Sequence, residues 1–205
     1  MGSKLEILYA TIVILIKKLL NWVEDVFRLK THDEAQIYSK VGQRHADRGN
    51  MDKAIPSLKK ALELNPQDAE AGFKLARVCA KKWLLDDAVS YYKKAVGKGR
   101  RDAEIFYHLG LIYTRKGTGK AAIDAYLRSI ELGPEVPDPY FRLALIYDSQ
   151  KMHKDAIGLY EKAISLNPGE PKYHYSCGLA YDADNQHEKA IECFRKAMET
   201  EESAY

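Results

Sequence analysis

KDAIGLYEKAISLNP, residues 154–168, reads as one amphipathic helix that stops at a proline. Its alanine, Ala156, has counterparts in DKAI, DDAV, KAAI and EKAI, at Ala54, Ala88, Ala122 and Ala190. The spacing is 34 residues each time, without insertion. A small residue returns seven places later at Ala61, Ala95, Ser129, Ala163 and Ala197. Another lies twelve places earlier at Gly42, Ala76, Gly110, Ala144 and Gly178. A large residue follows the alanine by four places: Leu58, Tyr92, Tyr126, Tyr160 and Phe194. Pro66, Pro134 and Pro168 close three of the units.

Each place has a physical reason. Helix axes approach closely only where the contact side chains are small. Large residues such as Tyr113, Tyr147 and Tyr181 fill the space between successive pairs. Proline lacks the N–H that would continue a helix. Leu109, Ile112 and Tyr113, then Ile123, Tyr126 and Ile130, follow the 3.6-residue period. No stretch alternates with period two, so no sheet is expected.

The pattern resembles the tetratricopeptide repeat, a helix-turn-helix unit of this period. The fold class expected is all-α, a right-handed superhelical solenoid of antiparallel helix pairs. Five copies are expected at 35–68, 69–102, 103–136, 137–170 and 171–204, after an apolar helical segment at 1–34. Four places depart from the pattern. Gly72 stands where a large residue is usual, Trp83 replaces a turn glycine, and Arg100 replaces a closing proline. Pro56 falls early in a second helix and removes about one hydrogen bond there.

First helices of such repeats line a concave binding surface. Carried over place by place, the resemblance puts Phe73, Tyr107, Phe141 and Tyr175 on that surface. Arg77, Leu111, Leu145 and Leu179 stand beside them, with Glu70, Glu104 and Asp138 at the flank. The aromatics, more than the leucines, are expected to stay open to a partner. An apolar helix or strand would fit, with the acids steering basic residues. The clamp of Lys, Asn and Arg that holds chaperone C-termini is not matched, since Ser39, Gln43 and Arg77 stand where it would begin.

Enzymatic chemistry is not expected, nor is a cofactor or metal. KGTGKAA, 116–122, lacks the first glycine of a phosphate loop, where Thr114 stands, and its Ser/Thr, where Ala121 stands. His32, His45, His108, His153, His174 and His187 show no metal-ligand spacing. Cys79, Cys177 and Cys193 form no CxxC pair, and an odd number suits a reducing compartment. Cys177 and Cys193 fall on the two helices of one repeat. The net charge of +3, from 32 basic and 29 acidic residues, leaves no nucleic-acid footprint. KKAVGKGRR, 93–101, is read as a solvated junction rather than an anion site.

ILYATIVILIKKLLNWV, 7–23, is the apolar stretch left over. A span needs about 20 apolar residues for about 30 Å. The uncharged run 7–16 gives only about 15 Å as a helix, and Lys17 and Lys18 end it. No small-residue cleavage site follows. Glu6 breaks the myristoylation pattern. Three sinks for the apolar face stay open. It caps the first repeat, which suits 19–29; it lies on an anionic lipid surface through Lys17 and Lys18; or it enters the groove of another copy. The last two suit Ile7, Leu8, Ile12, Leu15 and Ile16.

LYA, KK and NWVEDVFR before five such repeats also resemble a magnetosome-associated family of repeat proteins from magnetotactic bacteria. That resemblance implies a scaffold attached peripherally to the magnetosome membrane from the cytoplasmic side. It implies protein partners and homo-oligomers, formed by the N-terminal helix docking into a neighbour's groove. A generic peptide-binding adaptor and a membrane-anchored assembly factor are the alternatives.

Overall fold

The computed structural model describes the backbone of residues 2–202 and the side chains of residues 12–202. The described residues form ten α-helices and no strand. The chain divides into two compact units, Met1–Lys98 and Gly99–Tyr205.

The first unit holds α1 (Gly2–Asp47), α2 (Met51–Leu64), α3 (Ala69–Lys81) and α4 (Leu85–Gly97). Here α1 packs on α2, α2 on α3, and α3 on α4. The second unit holds α5 (Ala103–Arg115), α6 (Gly119–Leu132), α7 (Pro137–Ser149), α8 (His153–Leu166), α9 (Pro171–Ala183) and α10 (His187–Glu202). Each of these packs on the next in chain order. Within both units the elements are the helix pairs read from the 34-residue period.

The small places are where the pairs touch. Ala54, Ala88, Ala122, Ala156 and Ala190 are all buried. A Cβ added at Gly110 would stand 2.5 Å from the Tyr126 ring, and one at Gly178 would stand 2.6 Å from Phe194. In the first unit the same contact joins Gly42 to Leu58, at 2.6 Å. Four residues after the invariant alanine, Leu58, Tyr92, Tyr126 and Tyr160 are fully buried. Burying each such side chain contributes roughly 1.5–3 kcal/mol.

One turn recurs inside every pair. Gly49, Trp83, Gly117, Lys151 and Asn185 all adopt a left-handed backbone, with φ between 61° and 75°. The next N–H reaches back to a carbonyl five residues earlier in each case, as Asn50 to His45, Leu84 to Cys79 and Met152 to Tyr147. This is the Schellman closure of the first helix. The turn at Trp83 is therefore the expected glycine turn carried by a residue with a Cβ. Such a residue pays roughly 1–2 kcal/mol in this region. Lys151→Gly is accordingly expected to raise stability by about 1 kcal/mol, read as a higher denaturant midpoint with unchanged slope.

The starts of first helices follow two recipes. Asp68 and Asp102 accept hydrogen bonds from the backbone N–H of Ala71 and Ile105, at 2.9 and 3.0 Å. Pro137 and Pro171 instead open α7 and α9. Arg100, which replaces the closing proline, donates to Asp102 at 2.8 Å and to Glu104 at 3.1 Å. KKAVGKGRR thus has one basic residue committed to a local ion pair. Pro56 sits inside α2 without ending it.

The described side chains of the N-terminal segment stay uncovered. α1 is one uninterrupted helix across the boundary expected at 34/35. No side chain from 12 to 34 is buried, and burial begins at Ala35. Leu19, Leu20, Trp22, Phe27 and Leu29, assigned to the cap, are each more than half exposed. Near the end of this stretch His32 Nδ1 lies 3.5 Å from Asn65 Nδ2, just past α2. No described helix is long and apolar enough to cross a membrane.

Candidate functional site

α5, α7 and α9 each present residues spaced three and four apart, and therefore on one face. These are Glu104, Tyr107 and Leu111 on α5, Asp138, Phe141 and Leu145 on α7, and Lys172, Tyr175 and Leu179 on α9. In the first unit, α3 carries Glu70, Phe73 and Arg77 in the same places.

The aromatics make a repeating pair. Each packs on the large residue of its own second helix: Phe73 on Tyr92 at 5.6 Å, Tyr107 on Tyr126 at 6.2 Å, Phe141 on Tyr160 at 5.8 Å, and Tyr175 on Phe194 at 5.6 Å between ring centroids. Rings at these distances and angles attract beyond their buried area. Phe73 and Phe141 are consequently buried and Tyr107 is half-buried. Tyr175 alone stays open, at 55% exposure.

Of the aromatics expected on the open surface, Tyr175 is exposed, while Phe73 and Phe141 are buried. A ring at this place spans the gap to the second helix, and in Phe73 and Phe141 it becomes core. The leucine one turn later is partly covered: Leu111 packs against the cluster of Ala122, Tyr126 and Leu143. Leu145 and Leu179 are 36% and 46% exposed, and Leu111 is half-buried. Phe141→Ala with Tyr107→Ala would thus disturb packing as well as any surface.

The flanking acids already have partners. Glu104 takes Arg100 at 3.1 Å and His108 at 3.6 Å. Asp138 accepts a 2.8 Å hydrogen bond from Tyr173 Oη, and Lys172 lies 3.9 Å away. Glu70 lies 3.8 Å from Lys74. Arg77 lies over the Phe73 ring at 5.7 Å, and Lys172 over the rings of Phe141 and Tyr173. These local pairs weaken the steering field expected from the acids. Tyr173, absent from the sequence reading, ties α7 to α9: its ring sits 4.9 Å from Phe141. Burial first, then the Asp138 hydrogen bond, pushes its hydroxyl well above the usual phenol range. Tyr173 falls on the same place of the repeat as the buried Ala71, Ile105 and Pro139, 34 residues apart.

The other half of the candidate site is α1. Ile12, Leu15 and Ile16 are about half exposed or more, and Lys17 and Lys18 are exposed. Ile7 and Leu8 lie outside the residues whose side chains are described. Among the described residues no cluster of His, Cys, Asp and Glu is arranged to hold a metal. Cys177 on α9 and Cys193 on α10 are free thiols that line one pocket. Burial, the larger cause, raises the Cys177 thiol far above its ordinary value.

Models of the tetratricopeptide repeat match residues 41–102, 84–137, 137–170 and 171–203. The chain belongs to the tetratricopeptide repeat family, whose stacked helix pairs are scaffolds for protein interactions rather than catalytic folds. Within that family it is similar to MamA. One crystal structure of MamA is 36% identical, covers 83% of this chain and 93% of its own, and has a TM-score of 0.76. MamA 41-end from Desulfovibrio magneticus RS-1 is 26% identical over 83% of this chain and 97% of its own, with a TM-score of 0.77. YrrB, described as a TPR protein with an unusual peptide-binding site, is 23% identical over 80% of this chain and 84% of its own, with a TM-score of 0.68, and shares the fold. No curated protein matches the chain.

Proposed function

We propose that the chain is a self-assembling scaffold at a membrane surface, the magnetosome membrane in view of the likeness to MamA. The apolar N-terminal half of α1 docks on the open face of α5, α7 and α9 in another copy. The observation that carries this reading is the uncovered apolar surface of α1, from Ile12 to Leu29. Leaving so many large side chains in water is costly, and contiguous exposed apolar surface marks an interaction site. The receiving side offers Leu145, Tyr175 and Leu179, which the chain itself leaves open. Such a contact joins two different surfaces, so it propagates from copy to copy.

Lys17 and Lys18 support a second contact, with anionic lipid. Each contributes about 1 kcal/mol at such a surface. Removal of residues 1–30 separates the readings. Loss of large species in size-exclusion chromatography, with the helical signal of the repeats retained, supports docking between copies. Loss of vesicle flotation with assemblies intact supports lipid contact alone and removes the docking proposal. A chain unchanged in both assays contradicts the whole reading.

A further inference from the structure

Gly72 takes the fourth place of the second repeat, where the fourth and fifth repeats carry a ring. In those repeats the ring reaches the carbonyl of the proline that closes the preceding unit. Tyr140 Oη donates to Pro134 O at 3.1 Å, and His174 Nε2 lies 2.8 Å from Pro168 O. Both rings are buried. Where the proline is replaced by Arg100, the ring is Phe106, which has no donor. The second repeat keeps the proline, Pro66, but has no ring at all.

The vacated place is a cavity of about 220 Å³ between α2, α3 and α4, lined by Leu62, Pro66, Ala69, Tyr91 and Ala95 around Gly72. A Cβ at Gly72 would meet only Ala95 Cβ at 3.8 Å and Tyr91 O at 4.0 Å, both ordinary contacts. An apolar cavity of about 150 Å³ is already enough to hold a benzene ring. The slot opens to water beside Pro66, Lys94 and Lys98, which are exposed.

We propose that this slot binds the phenol ring of a tyrosine side chain carried by a partner segment, with its hydroxyl donating to the Pro66 carbonyl. The choice of ligand comes from the chain's own repeats, which fill the equivalent place with a planar ring that has a donor at its tip. Asp68, Lys94 and Lys98 also line the slot, and a neutral phenol, unlike an imidazolium, brings no charge that must be balanced among them. The hydrogen bond to the Pro66 carbonyl, which a phenylalanine cannot make, gives the slot its discrimination. The slot involves other faces of the first unit than the docking surface above, and it stands or falls independently of self-assembly.

Saturation-transfer NMR on the full chain tests this, read on the ring protons of three probes: p-cresol, N-acetyl-tyrosinamide and N-acetyl-phenylalaninamide. The expected result is saturable transfer to the first two, and several-fold weaker binding of the third. Gly72→Tyr fills the slot, so it is expected to abolish transfer and raise the melting temperature. Gly72→Leu is the second filler, should the tyrosine variant not fold. Absence of saturable transfer to p-cresol, or transfer unchanged in a folded filler variant, overturns the site. Transfer to p-cresol without N-acetyl-tyrosinamide overturns the partner-borne ring.

Discussion

Replacement of Leu15, Ile16 and Leu19 by glutamate is expected to reduce assemblies of the full chain to single copies, with the helical signal unchanged. The three side chains are 60%, 51% and 59% exposed and support no core, so the fold should tolerate the charges. Complete burial of a large apolar side chain is worth roughly 1.5–3 kcal/mol, and about half of each is already covered by its own helix. The three together then contribute about 2–4 kcal/mol to docking, or roughly 30- to 1,000-fold in affinity. Glutamate adds the cost of desolvating a charge, which pushes the loss further. Size-exclusion chromatography with light scattering, over a range of concentration, reads the outcome. Assemblies that persist would place the contact elsewhere on the chain.

The largest loss of stability is expected from Tyr126→Ala. The ring is fully buried, packs on Tyr107, and lies where a Cβ at Gly110 would touch it. Its hydroxyl lies 3.3 Å from Thr114 Oγ1. Removing such a ring costs about 3–5 kcal/mol, through lost transfer energy and the cavity left behind. Tyr126→Phe removes only the hydroxyl and should cost about 1 kcal/mol. Chemical denaturation of both variants gives the two values. A cost for Tyr126→Ala as small as that for Tyr126→Phe would mean the ring is not a core element of its unit. Because Tyr107 rests on Tyr126, the alanine variant should also loosen the face that carries Leu111.

The helix pairs were legible in the sequence because their causes are local and periodic. Ala156 and its counterparts, the glycines at the crossings and the closing prolines all lie at fixed offsets. The positive-φ turn was readable at Gly49 and Gly117, and the register alone extends it to Trp83, Lys151 and Asn185. The site was less legible. A place in the repeat tells which face of the first helix a residue occupies, but not how far its side chain reaches. Phe73 and Phe141 are buried against the second helix, whereas Tyr175 makes the same ring contact and is 55% exposed. The local pairs of the acids, Glu70 with Lys74 and Glu104 with Arg100, have i,i+4 spacing, whereas the bond of Asp138 to Tyr173, 35 residues away, needed the fold. The N-terminal helix shows the opposite case. Its apolar excess was plain from composition, and that no side chain from 12 to 34 is buried needed coordinates.

Head-to-tail docking is tested most directly by mixing two defective chains. One carries Leu15→Glu, Ile16→Glu and Leu19→Glu on α1, and the other carries Leu145→Glu and Leu179→Glu on the receiving face. Each alone should be monomeric, because one end of the contact is missing. Mixed in equal amounts, they retain one intact α1 and one intact receiving face, and should form a one-to-one dimer that grows no further in analytical ultracentrifugation. A mixture that stays monomeric, or either variant assembling alone, would contradict docking of α1 into the face of a second copy.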